Sequence, residues 1–225
     1  MSKIKAQLKS IIKKYSRIHK DNMDRKRLID SDFTIFASNC IGGIIYHNLG
    51  LKFLSPTVNL WIEPEDYISM LSDPKDYFVP GKMIEEKNTK ESFPIGIIGD
   101  KKIYGVHYKS FDQLRNKWDE RCKRINWNKI IVFMIQRDDA TYQDLEAFDK
   151  LPYDRKVVFT KEKYPEIKSS FVIPGTYDIN KDNVNNLCIF LNGHSNLREI
   201  DKFDYVNFIN TGEKQINKKY IKKFK

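Results

Sequence analysis

Residues 32–57, DFTIFASNCIGGIIYHNLGLKFLSPT, decide how the rest of the chain is read. The apolar run from Phe33 to Ala37 predicts a strand, Ser38, Asn39 and Cys40 predict a polar turn, and Gly42-Gly43 with Ile44 to Leu49 predict a helix. Strand, turn and helix in that order make a βα corner. Such a corner delivers turn side chains and helix N-terminal amides to the carboxyl edge of a sheet, where α/β proteins bind ligands. The corner is therefore the candidate active site.

The 225 residues suffice for one domain with a sizeable core, and 40% hydrophobic with 13% aromatic residues place the body among globular sequences. No apolar run approaches the roughly 20 residues that cross a bilayer. The N-terminus is charged and lacks the apolar stretch of a secretory signal. Three scattered cysteines, Cys40, Cys122 and Cys188, make neither a disulfide scaffold nor a zinc cluster, so a reducing, cytoplasmic setting is expected. The net charge of +10 sits at the ends: residues 1–30 hold ten Lys/Arg against three Asp, and residues 212–225 six Lys against one Glu. The 181 residues between them carry 24 basic and 26 acidic side chains. A near-neutral body with basic ends suits anchoring to an anionic surface better than a groove tracking nucleic acid, and no nucleic-acid partner is expected.

Residues 3–20 place Ile4, Leu8, Ile11, Ile12, Tyr15 and Ile18 at helical spacing among lysines and Arg17. This is a basic amphipathic helix, which either packs on the domain or adsorbs to anionic lipid. It opens a helical extension over 1–30, followed by an α/β domain over 31–211 and a lysine-rich tail over 212–225. Beyond the corner, Val58 to Ile62 predicts a second strand, and Pro64 starts a helix with Glu65 and Asp66 in its first turn. After a polar connection over 81–92, Phe93 to Ile98 and Lys102 to His107 read as strands joined by a Gly99-Asp100 turn. Ser110 to Asn126 predicts a helix, and the uninterrupted apolar run Ile130 to Ile135 a strand covered on both faces. Thr141 to Phe148 reads as a helix behind a Thr141/Asp144 capping pattern. Lys156 to Thr160 and Ser169 to Ile173 are strand-like, 174–186 is a loop, Asn192-Gly193 a turn and Ile200 to Ile209 helical. Alternation of strands and helices predicts an α/β, three-layer, Rossmann-like fold with a largely parallel sheet.

Three blocks carry a family resemblance: residues 38–62 (SNCIGGIIYHNLGLKFLSPTVNLWI), 106–126 (VHYKSFDQLRNKWDERCKRIN) and 148–160 (FDKLPYDRKVVFT). In this order they resemble the bacterial exopolysaccharide-biosynthesis family catalogued as domain of unknown function 1919, over residues 32–210 and without either basic end. The resemblance implies a role in capsule or exopolysaccharide assembly and leaves the reaction open. In place of a Met-x-Asp-Arg-Asp-Gly type turn this chain has Met134-Ile135-Gln136-Arg137-Asp138-Asp139, which lacks the first acid and the glycine. The corner alone is similar to the strand and Gly-Asn-Cys-Gln turn of capsule acetyltransferases that use coenzyme A, and to the nucleophile turn of SGNH-type esterases.

Cys40 is the first candidate nucleophile, because a helix N-terminus stabilises a thiolate; its competing role is a small buried residue under Gly42-Gly43. Ser38 can attack or cap. Asn39, with the amides of Ile41 to Gly43, can hold an oxyanion or phosphate, or can simply cap the helix. His107, at a predicted strand end, is the candidate base, with His194 as runner-up; His47 and His19 belong to helices. Trp118, Arg121 and Arg124 are spaced by three and share a helix face. They can grip a nucleotide or lipid diphosphate, Trp118 stacking on a ring, or pair with acids such as Asp119 and Glu120. Asp138, beside Asp139, can orient His107 or hold a divalent metal, but no Asp-x-Asp occurs in that turn and no metal site is predicted. Walker, His-Glu-x-x-His, Gly-x-Gly-x-x-Gly and Gly-x-Ser-x-Gly motifs are absent.

The expected function is acyl transfer, most simply O-acetylation, to a sugar hydroxyl of an exopolysaccharide or capsule precursor. Acetyl-CoA is expected as a donor substrate, with no tightly bound cofactor. The alternatives are a glycosyltransferase or glycosyl-phosphate transferase of the same pathway, and a non-enzymatic assembly factor at the membrane surface. Expected partners are a saccharide or lipid-linked saccharide precursor and an anionic membrane surface at the inner face of the cell membrane.

Overall fold

The computed structural model describes residues 2–191 and 196–218, leaving aside the side chains of residues 2–4 and 9. A long helix, α1 (Ser2–Arg27), precedes the corner, which consists of β1 (Thr34–Ala37) and α2 (Ile41–Leu49). Helix α3 (Pro64–Ser72) and the single turn α4 (Pro74–Tyr77) lead into a small antiparallel sheet of β2 (Ile84–Glu85), β3 (Ile95–Ile98) and β4 (Lys101–Tyr104). Then come α5 (Phe111–Cys122), β5 (Ile130–Ile135), α6 (Tyr142–Asp149), β6 (Arg155–Phe159) and β7 (Ser170–Phe171). A short hairpin of β8 (Tyr177–Asp178) and β9 (Asn183–Val184), a 3-10 turn (Glu199–Lys202) and α7 (Tyr205–Thr211) follow.

β1, β5, β6 and β7 form one parallel sheet in that spatial order, with Ile35 opposite Ile131 and Phe133 opposite Val157. Parallel strands bury both faces, so alternate residues feed two cores. Phe33, Ile35, Ile131, Phe133, Val157 and Phe159 pack with α2 and α7, whereas Phe36, Val132, Met134 and Val158 pack with α3, α5 and α6. The result is the three-layer α/β, Rossmann-like arrangement the sequence predicts. The Gly99 turn (φ 62), the Ser110 cap of α5 and the Thr141/Asp144 capping box of α6 stand where local sequence rules put them.

The outer edge of β1 is built differently. The Ile35 N–H donates to the Tyr46 hydroxyl (2.8 Å), which itself donates to the Phe33 carbonyl (3.0 Å). The Ala37 N–H donates to the Thr57 hydroxyl (3.1 Å), and the Ser38 carbonyl accepts the Ile62 N–H (3.1 Å). Buried backbone groups must be paired. Here side chains from α2 and the following loop pair most of what a neighbouring strand would have paired.

This corrects the expectation of a strand over Val58 to Ile62. Asn59 takes a left-handed backbone (φ 61), which breaks the extended run, and only Trp61 forms a bridge, with Tyr104 of β4. The expected helix over Ile200 to Ile209 is likewise interrupted. Phe203 turns extended, and Asp204 restarts the helix by accepting from the Asn207 N–H (3.1 Å). The connection over 81–92 contributes β2.

Tyr46→Phe should lower stability by about 1–3 kcal/mol, because it strands the buried Ile35 N–H. The expected readout is a lower urea midpoint at unchanged slope; an unchanged midpoint would show that the hydroxyl does not close this edge.

Candidate active site

Because β1 and β5 are parallel neighbours, the turns after them open at the same edge of the sheet. Asn39 and Cys40 of the first turn, with Arg137 and Asp138 of the second, line one cavity of about 420 Å³. Trp61 beside β1 and His107 after β4 supply further wall. Of the residues singled out in the sequence, the structure thus brings Cys40, Asn39, His107 and Asp138 together.

The corner holds its polar groups in specific states. Cys40 is the N-cap residue of α2 but makes no capping bond through its side chain. Asn39 caps the helix in its place, with Oδ1 accepting the Ile41 N–H (3.1 Å). The rest of its amide is unused. Asn39 is only 8% exposed, and its Nδ2 is buried without a partner among the described residues. The indole Nε1 of Trp61 is in the same condition. The Trp61 backbone exchanges two hydrogen bonds with Tyr104 (3.0 and 2.9 Å), and the rings lie 4.2 Å apart between centroids. A buried unpaired donor costs about 1–3 kcal/mol. Both residues line the cavity, but the two nitrogens are themselves closed off from solvent, so an oxygen acceptor in the cavity meets them only when the side chains turn.

Burial pushes the Cys40 thiol above the ordinary thiol range, and the nearby Arg137 charge opposes the rise only in part. The resting group is therefore a neutral thiol, and using it as a nucleophile calls for a base. His107 is exposed and rides on a turn closed by the Tyr108 N–H donating to the Gly105 carbonyl (2.8 Å). That turn is tied to the loop bearing Trp61. Tyr108 donates to the Val58 carbonyl (3.1 Å), and Arg121 donates to the Tyr108 hydroxyl (2.7 Å) and to the same carbonyl (3.1 Å). On the opposite wall Arg137 Nε donates to both carboxylate oxygens of Asp138 (3.1 and 3.0 Å). Asp138 (φ 55) and Asp139 (φ 63) are both left-handed, a conformation costing of order 1 kcal/mol or more for a residue with a side chain. Asp139 occupies the position where the resembled turn has glycine.

The remaining candidates fall elsewhere. Ser38 is buried at the end of β1, its N–H on the Phe133 carbonyl (3.3 Å), and is not part of the cavity wall; Cys40 is the better placed nucleophile. Gly42 is a packing residue, since a Cβ there would lie 3.1 Å from Ala37 Cβ. Gly43 packs against Asn59 and, with His47, lines a different cavity. The expectation that Trp118 stacks on a ligand ring is corrected: it is 1% exposed and stacked on Phe78 in the core. Arg121 is buried in the clamp just described, and Arg124 pairs with Glu120 and donates to the Phe53 carbonyl (3.4 Å), so neither is free to grip a diphosphate. His194 lies outside the described residues. Among the described residues no group of three or more His, Cys, Asp or Glu is placed to hold a metal ion.

A family model described as "Domain of unknown function (DUF1919)" matches residues 11–210. The chain belongs to this family. A DUF1919 assignment fits the blocks noted in the sequence, although the match begins at residue 11, within α1, well before the corner. A Haemophilus influenzae protein described as "Uncharacterized protein" is similar: 31% identical over 203 residues, 90% of this chain and 96% of the relative. Two groups in this DUF1919 site escaped sequence reasoning. Trp61 sits in what reads as an ordinary strand, and Arg137 reads only as one residue of a polar turn. Only the adjacency of the two strand ends gives them a common ligand space.

Because the Cys40 thiol is raised by burial, its alkylation by iodoacetamide should be slow at neutral pH and should keep accelerating beyond the pH at which a free cysteine has levelled off. Arg137→Gln should slow it further at any fixed pH. Peptide mapping by mass spectrometry separates Cys40 from Cys122 and Cys188; faster modification in the variant would contradict the electrostatic assignment.

Proposed function

We propose that this protein transfers an acyl group, most simply acetyl, to a sugar hydroxyl of an exopolysaccharide or capsule precursor. The single observation carrying the reading is that Cys40, His107, Asn39 and Trp61 line one cavity, with Asn39 Nδ2 and Trp61 Nε1 left without acceptors beside it. The pathway rests on the family resemblance, and the donor on the likeness of the corner to coenzyme A-dependent acetyltransferases.

In this reading His107 takes the thiol proton as the Cys40 sulfur attacks the thioester carbonyl of acetyl-CoA. The carbonyl oxygen gains negative charge and accepts from Asn39 Nδ2 and Trp61 Nε1, whose cost of burial is relieved at that moment. Coenzyme A leaves as a thiolate and takes the proton back from His107. A sugar hydroxyl then attacks the acyl-cysteine, losing its proton to His107, and the Cys40 thiol is restored when His107 returns the proton. Arg137 is held by Asp138 near the thiol, where its charge favours the thiolate during the first step. The acceptor would be a saccharide or lipid-linked saccharide presented at the cytoplasmic face of the membrane.

Incubation with acetyl-CoA should leave an acetyl group on the Cys40 peptide. Cys40→Ala should abolish transfer, and His107→Ala should slow it by about 10²–10⁴-fold, the usual contribution of a general base. A folded protein that binds no acyl-CoA by calorimetry and acquires no adduct would overturn the reading.

A further inference from the structure

Helix α1 attaches to the domain by its polar face. Arg17 pairs with Asp201 (2.6 Å) and Asp21 (2.7 Å), and Lys20 pairs with Asp24 and Asp201 (2.9 Å) while donating to the Tyr205 hydroxyl (2.8 Å). Arg25 donates to the Asn48 carbonyl (3.1 Å), and Arg27 pairs with Asp204 (2.6 Å). Burial pulls the Lys20 ammonium down, but Asp201 and Asp24 raise it further, so the Lys20 ammonium stays charged where the helix is docked. Residues 17, 20, 21 and 24 lie on one side of an α-helix by their spacing.

The apolar stripe lies on the other side. Leu8, Ile11, Ile12, Tyr15 and Ile18 recur at spacings of three and four, and on a helical wheel their mean direction points nearly opposite to that of the docked residues. Leu8 is 58% exposed, Ile11 51%, Ile12 53% and Tyr15 68%. This is the reverse of an ordinary surface helix, which turns its apolar stripe to the core. Lys5 and Lys14, both exposed, border the stripe on either side by helical spacing, and no acid precedes Asp21 in the sequence. No helix among the described residues is long and apolar enough to cross a membrane.

We propose that the outward face of α1 is a docking surface for an anionic lipid bilayer, on which the helix lies flat with its aliphatic stripe in the acyl boundary and its lysines among acidic headgroups. Charge decides the occupant. A stripe flanked by lysines and free of acids matches a negatively charged lipid surface, each cation adding to binding as it nears the headgroups. The ion cluster beneath holds the domain at a fixed attitude to that surface. This inference is independent of the acyl-transfer reading, because it uses none of the cavity residues.

The test is co-flotation of the full chain with vesicles of phosphatidylcholine alone and of phosphatidylcholine mixed with phosphatidylglycerol. The protein should float with the mixed vesicles, stay behind with the neutral ones, and be released by high salt. Ile11→Asp combined with Ile12→Asp should lower partitioning at least about tenfold, given the transfer free energy of two aliphatic side chains. Both sites are exposed, so the thermal midpoint should not move. Failure of the wild-type protein to float with anionic vesicles would overturn the proposal. So would wild-type flotation of the double variant, which would assign binding to charge elsewhere. Sedimentation showing a dimer that the substitutions dissociate, without vesicle binding, would assign the stripe to a second copy and also overturn it.

Discussion

The whole site depends on how the edge of β1 is closed. A parallel sheet buries its strands, and an edge strand in such a sheet must find partners for its outward N–H and C=O groups. Here Tyr46 reaches back from α2 to serve both Ile35 and Phe33, and Thr57 serves Ala37. The helix and the strand of the corner are thereby locked to each other by one phenol, while Gly42 lets α2 approach β1 without a Cβ between them. The turn between them, Ser38 to Cys40, has little freedom left. A strand on that side would have filled the space now occupied by the irregular segment carrying Leu60 and Trp61, and the cavity would have lost one wall.

Local rules made most of the fold legible in the sequence. The unbroken apolar run of β5 identified a strand covered twice, and Thr141 with Asp144 marked the start of α6. The corner was readable because strand, small polar turn and glycine pair each have one common structural use. Val58 to Ile62 was misread because its composition suits a strand, while the decision lay with the hydroxyls of Tyr46 and Thr57, which had already taken the edge donors. Trp118 and Arg121 take structural places for the opposite reason. Their helical spacing is real, but it directs them into the core and into a clamp between loops. Residue types with chemical potential are as often used to hold loops as to hold ligands.

Convergence across the sheet edge is what no linear pattern encodes. Asn39 caps α2 with one end of its amide and leaves the other unpaired, and Trp61 leaves its indole N–H unpaired. Trp118 Nε1 in the core is unpaired as well, so what sets Asn39 and Trp61 apart is that both line a cavity. The strain of two successive left-handed aspartates brings Arg137 and Asp138 to the same space. The half-buried Cys40 and the exposed His107 line this space with them. Helix α1 follows a separate logic, holding the domain by charge and leaving its apolar side outward.

The most direct measurement concerns the tryptophan indole N–H resonances. The chain has three tryptophans, Trp61, Trp118 and Trp127, so each can be assigned by substitution and followed during titration with acetyl-CoA. The account predicts that the Trp61 resonance moves as its N–H acquires an acceptor, while that of Trp118, enclosed in the core, stays in place. A Trp61 signal that remains fixed at saturating ligand would contradict it.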